Sequence, residues 1–132
     1  MYRLFIHADA ESDLERLWET EPEAAARITA LLEAIEADQR LLDRLTEHGF
    51  GFGGAEAFNV SKWHRQWNLG HDLWRLKAWD LEKVRMRYRV VYAFVPGKRH
   101  YHVLAVLPRA EVNYDDPNDP ITRRILRAYA DL

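Results

Sequence analysis

The stretch Val84-Arg85-Met86-Arg87-Tyr88-Arg89-Val90-Val91-Tyr92-Ala93-Phe94-Val95 sets the fold class. Val84, Met86, Tyr88, Val90, Tyr92 and Phe94 point one way, and Arg85, Arg87 and Arg89 the other. A period of two belongs to a strand with one buried face, so the spacing predicts a long strand over 84–95. Pro96-Gly97-Lys98 then marks a tight turn into a further strand over 101–107. Upstream, Leu73 to Trp79 alternates in the same way, with Arg75 and Lys77 opposite Trp74 and Leu76. The link Asp80-Leu81-Glu82-Lys83 is short enough to pair this strand with the next, and a shorter strand is expected over 58–63. The centre of the chain therefore reads as an antiparallel meander.

Toward the N-terminus the period changes. Arg3 to His7 reads as a short strand, and a helix follows with Asp9 as its cap and Leu14, Leu17 and Trp18 as its apolar stripe. Thr20-Glu21-Pro22-Glu23 announces a second helix, with Thr20 as cap. Ile28, Leu31, Leu32, Ile35, Leu42 and Leu45 keep one face apolar, which predicts an unbroken helix as far as Gly49. Gly49 to Gly54 holds four of the six glycines and reads as a loop without the Gly-Lys-Ser/Thr of a phosphate loop. At the other end Asp119-Pro120 starts a helix whose Ile121, Ile125, Ala128 and Tyr129 share a face. The fold class is α+β: N-terminal strand, helical hairpin, antiparallel meander and C-terminal helix in one domain over 1–132.

A chain of 132 residues, 48% apolar and 30% charged, matches one soluble domain able to bury a core. It has no Cys, which removes thiolate metal sites and thiol nucleophiles. The opening residues turn polar too soon for a signal peptide or a membrane span, so the expected compartment is the cytoplasm, with no membrane partner. The net charge of −2 conceals a polar distribution. Residues 1–60 carry 5 Lys/Arg against 13 Asp/Glu, whereas Lys62 to Arg109 carries 11 against 3. Local potential rather than net charge attracts phosphate, so the second half can face a polyanion.

If the apolar faces of the two arginine-bearing strands coincide, Arg75, Lys77, Arg85, Arg87 and Arg89 share the opposite face, and Arg109 joins them. Like charges on neighbouring strands oppose folding by a few tenths of a kcal/mol to ~1 kcal/mol per pair. A bound anion explains such a cluster; a solvated face of long side chains lying over apolar surface is the plain alternative. Lys62 and Arg65 interleave with Trp63 and Trp67 in a segment suited either to base stacking or to core packing. His64 is a candidate acid or base. His100 and His102 lie two apart on a strand without a convincing third ligand, and Asp115 to Asp119 reads as turn and cap residues rather than a calcium loop. No metal site and no cofactor is expected.

Leu73-Trp74-Arg75-Leu76-Lys77, then Tyr88-Arg89-Val90-Val91-Tyr92, Val103 to Arg109, Tyr114 and Arg123-Arg124-Ile125-Leu126 resemble, in order and spacing, the RelE/ParE superfamily of type II toxins. The resemblance spans most of the chain and is weakest over 48–72. It implies a RelE-like fold and an mRNA endonuclease working on the ribosome, with a cognate antitoxin as partner. In the ParE branch it implies instead a gyrase-inhibiting or catalytically silent interaction protein. RNA supplies its own nucleophile, the 2′-hydroxyl, so cleavage needs a proton acceptor, a donor to the leaving oxygen and cations around the phosphorus. Lys77 and Tyr114 are the groups able to exchange protons if neighbouring cations shift them. Arg89 and Arg109 match the family's phosphate-stabilising and leaving-group positions. Arg75 stands where the RelE branch often has a second Lys, which leaves the general base unassigned. Arg75, Arg85, Arg87, Lys62 and Arg65 are the expected RNA contacts, and Arg123, Arg124 and Arg127, off the apolar face of the last helix, are expected at the antitoxin interface. A general nucleic-acid-binding module is a third reading.

Overall fold

The computed structural model describes residues 1–132. The chain runs β1 (Arg3–Ile6), α1 (Ala8–Thr20), α2 (Pro22–Glu36), α3 (Gln39–Arg44), β2 (Phe58–Lys62), α4 (His64–Asn68), β3 (Leu73–Ala78), α5 (Trp79–Lys83), β4 (Tyr88–Val95), β5 (His100–Pro108), a single 3-10 turn at Arg109–Glu111, and α6 (Pro120–Ala130). The sheet order is β1-β5-β4-β3-β2. Neighbours are antiparallel except β1, which runs parallel to β5. The α+β class and the meander expected from the alternation are present.

Two cores sit on opposite faces of this sheet. Leu76, Val90, Tyr92, Val103 and Val106 face α1, α2 and α3, whereas Leu73, Val91, Ala93, Leu104 and Leu107 face α6. On β5 the inward set changes parity, because Val91 pairs with Ala105 while Tyr92 pairs with Val103. Leu104 is the extra residue of this bulge, and it lets one strand feed both cores.

Four local expectations are corrected. The second helix is broken: α2 ends at Glu36 and Asp38 caps a new helix by accepting from the Arg40 N–H at 2.9 Å. The apolar period carries through that break because α3 returns to the same core. The cap of α1 is His7, whose Nδ1 accepts from the Asp9 N–H, rather than Asp9 itself. Thr20 is the last residue of α1 and Glu21 precedes α2 without a side-chain cap. Finally, the arginine-bearing strand begins at Tyr88, not Val84. Residues 79–83 form a helical turn closed by Met86 N–H to Leu81 O at 2.9 Å, and Arg85 leaves it at φ 61°. Val84 is exposed as a result.

The segment 48–72 stabilises both edges of its surroundings. Gly49 N–H donates to Val60 O, and Val60 N–H donates to Phe50 O, so the glycine loop lies along the outer edge of β2. Gly51 is required there: at φ 74°, a Cβ would stand 1.8 Å from the Phe58 carbonyl oxygen. Farther on, buried Gln66 bonds His71 at 2.7 Å, and the Asp72 N–H donates to the Tyr129 hydroxyl at 3.0 Å, tying α4 to α6.

β1 covers β5 only from His100 to Val103. Beyond that point Asp13 of α1 takes over the edge, accepting from the Val106 N–H at 3.0 Å. The same carboxylate accepts two bonds from Arg124 of α6, at 2.9 and 2.7 Å, and one from Arg16 at 2.8 Å. A carboxylate offers about four acceptor sites, and all four are used. Its side chain is fully buried. Arg124, partly buried, is thereby engaged within the chain, whereas Arg123 and Arg127 are exposed. Asp13→Ala leaves a partly buried guanidinium and a strand N–H without acceptors and is expected to cost about 3 kcal/mol, read as a lower urea midpoint with an unchanged slope.

Candidate functional site

The face of the sheet that α6 covers is apolar only along part of its length. Past α6 the same alternation delivers polar groups: Asn59 and Ser61 from β2, Arg75 and Lys77 from β3, and Arg89 from β4. Arg109, just beyond β5, joins them around a cavity of about 160 Å³. Asn59 lies in register with Lys77, and Ser61 with Arg75. A wider cleft of about 620 Å³ continues from it, sharing Arg75 and Arg109 and adding Arg87, Asn113, Tyr114 and Asp115. The Arg109 N–H donates to Arg87 O at 2.8 Å, which fixes the strand ends that carry these two arginines.

Arg75, Lys77, Arg89 and Arg109 thus line the narrow cavity, Arg75, Arg109 and Tyr114 the wider cleft, and Arg87 lies at its rim. The structure separates three other residues from them. Arg85 is exposed in the left-handed turn after α5 and lines neither cavity, because the strand that was to carry it starts three residues later. Lys62 lies on the opposite face from Ser61, with its Nζ 4.4 Å from the Trp67 ring centre. Arg65 is exposed on α4. Asn59 and Ser61 line the narrow cavity and Glu82 pairs with Arg89; sequence reasoning missed all three. The strand carrying the first two was in view, but alternation alone gave no cue to their polar role.

Arg75 and Tyr114 form the centre of the cleft. The guanidinium carbon stands 4.5 Å from the tyrosine ring centre. Both the Arg75 Nε and the Tyr114 hydroxyl are buried without a hydrogen-bond partner. Unmatched buried donors are costly, commonly ~1–3 kcal/mol each. Trp63 holds Tyr114 from behind: its indole donates to the Tyr114 carbonyl at 3.1 Å, and the rings meet edge to face. Trp63 and Trp74 are core residues, and Trp67 is partly buried against Trp74. This settles Trp63 and Trp74 as packing rather than stacking platforms.

Charge modifies these groups in opposing directions. Burial lowers the Arg75 pKa, with Arg89 and Arg109 acting the same way and Tyr114 and Asp115 opposing. Tyr114 is raised by burial, and the three arginines offset this only in part. The neighbouring cations act on Tyr114 in the expected direction, but burial outweighs them and the phenol holds its proton more tightly than in water. Arg89 is held by Glu82 and also donates to the Tyr88 carbonyl at 2.8 Å. Lys77 packs against Trp79, with Nζ 4.8 Å from the ring centre. His64 is exposed and meets His48 edge-on, and His48 accepts from the Lys62 N–H. Phe5 packs against both His100 and His102, and no group of three ligating side chains forms anywhere in the chain.

No protein-family model, curated protein or solved structure matches the chain. No helix is long and apolar enough to cross a membrane.

The raised Tyr114 pKa has a thermodynamic sign. Above pH ~10 the unfolded chain loses a proton that the folded chain keeps, so stability present below that pH declines as pH rises toward the folded pKa. Tyr114→Phe is expected to flatten this alkaline decline, measured as urea midpoints between pH 8 and 11.

Proposed function

We propose that the chain is the toxin of a type II toxin–antitoxin pair, an endoribonuclease that cleaves ribosome-bound mRNA through its own 2′-hydroxyl. The observation that carries this reading is the pair of buried, unpartnered donors, Arg75 Nε and Tyr114 OH, in a cleft also lined by Arg109 and continuous with Lys77 and Arg89. The resemblance to the RelE/ParE superfamily adds the reaction class.

In this reading a phosphodiester oxygen accepts from Arg75, and Arg89 and Arg109 stabilise charge on the phosphorane. The 2′-oxygen bonds to phosphorus as the 5′-oxygen leaves, giving a 2′,3′-cyclic phosphate and a free 5′-hydroxyl. Tyr114, which holds its proton, donates to the departing 5′-oxygen. Lys77 lines the narrow cavity, and the 2′-hydroxyl proton passes to it only in its uncharged amine form, since the ammonium has no lone pair to accept with. Preorganised cations around developing charge are the main source of rate in such a site. The partner in the cell is an antitoxin with acidic side chains toward this cleft, since opposite patches accelerate association. A second reading, a gyrase-binding or catalytically silent member, is favoured by one contact: Glu82 already occupies Arg89.

Expression without an antitoxin is expected to arrest growth. Arg109→Ala should relieve the arrest and lower cleavage by two to three decades, equivalent to ~3 to 4 kcal/mol, while the thermal transition persists; Arg89→Ala should do the same with a lowered transition, because it leaves the largely buried Glu82 carboxylate unpaired. Toeprinting in a translation extract reads the cleavage; variants as active as the parent contradict the assignment. On a minimal RNA substrate, cleavage is expected to persist in excess EDTA and to leave the cyclic phosphate, because the substrate hydroxyl is the nucleophile. Inhibition by the chelator that magnesium restores contradicts that route.

A further inference from the structure

Glu82 belongs to α5, the single helical turn between β3 and β4. Because Arg85 leaves that turn at φ 61° and its N–H bonds back to Glu82 O at 3.1 Å, the chain reverses there, and the Glu82 carboxylate meets the guanidinium seven residues ahead. Arg89 is 13% exposed and Glu82 14%, so the pair is largely removed from water. The ion pairs Arg40–Asp38 and Arg44–Glu47 are far more exposed and correspondingly weak. Arg75, Lys77 and Arg109 have no carboxylate within 4.0 Å. Of the four cations at the narrow cavity, Arg89 alone is neutralised from within the chain.

We propose that Glu82 is a built-in competitor for the cleft, holding Arg89 so that single small phosphates bind poorly and polymeric phosphodiesters are selected. The proposal rests on the reading of the cleft as a phosphate site. A lone phosphate needs several cations on one small ion, and here one of them is already matched by a carboxylate that repels the newcomer. A phosphodiester chain distributes its charges over Arg75, Lys77 and Arg109 together and depends less on any one guanidinium. The cell's abundant small phosphates are thereby kept from occupying the site. Asp115 is the carboxylate that lines the wide cleft, but it is exposed at the rim, where salt screens it.

The test compares inorganic phosphate, titrated calorimetrically, with a labelled 2′-O-methyl oligoribonucleotide, which binds without being cleaved, read by anisotropy. The parent is expected to bind the oligonucleotide and to bind phosphate only weakly. Glu82→Gln, which keeps an acceptor and removes the charge, should raise phosphate affinity about tenfold and oligonucleotide affinity by less. Glu82→Asp withdraws the carboxylate by one methylene with minimal disturbance and should move both in the same direction. In an Arg89→Gln background the Glu82→Gln gain should shrink, because the direct repulsion is still relieved but no guanidinium is freed. Unchanged phosphate binding in both Glu82 variants overturns the proposal, as does an equal gain with Arg89 already replaced. If neither ligand binds the parent, the phosphate-site reading itself falls, which separates that failure from a failure of the competitor alone.

Discussion

A buried carboxylate needs every one of its lone pairs matched, and Asp13 meets that demand by drawing on three parts of the chain that are distant in sequence. It comes from α1, closes the stretch of β5 that β1 leaves uncovered, and grips Arg124 of α6 around the sheet's edge. The helices on the two faces of the sheet are thus joined through one group. Replacing such a network by apolar residues is often tolerated, but removing one member is not, because the remaining charge stays in a poorly solvated place. Two residues beyond Val106, Pro108 has no N–H to offer, so the free edge of β5 ends without another donor to satisfy.

The placement of α6 follows from this anchor, and the cleft follows from α6. With Arg124 fixed, Ile125 and Ala128 cover Val91, Ala93 and Leu104, and the helix leaves the ends of β3 and β4 bare on that face. The polar residues of the alternation emerge there, and Tyr114, on the segment leading into α6, is set over Arg75. The clustered cations carry a folding cost, which is supported by a well-packed scaffold: Trp63 behind Tyr114, and the Gly49–Phe50 backbone along β2. The elements on either side of the site have packing reasons of their own to stay in place.

Much of this was legible in the residues. Period-two alternation around Val90 and Leu76 identified the meander and the cationic face, and Asp119-Pro120 identified the start of α6. Alternation misled at Val84 to Arg87, where apolar and charged residues alternate through a turn that a left-handed Arg85 makes possible; one-dimensional spacing does not register a reversal in φ. The break before α3 was hidden because Leu42 and Leu45 return to the core that Ile28 and Leu32 fill. Asp13 with Arg124 and Glu82 with Arg89 were out of reach for a different reason. Each is an ordinary acid and an ordinary base until the fold sets them together, and acids and bases are common in a chain that is 30% charged.

The parallel pairing of β1 with β5 has a consequence for the order of assembly. Arg3 has to wait for His100, and Ile6 for Val103, before the first strand has a neighbour in the sheet. The helices between them can form early from local contacts, but the closure that completes the sheet joins the extremes of the sequence, and such long loops are slow to close. On the ribosome, the acidic hairpin emerges well ahead of every cation that will form the cleft. Tyr114 must leave the exit tunnel before the two orphan donors can come together, so the cleft is completed only after most of the chain has been made.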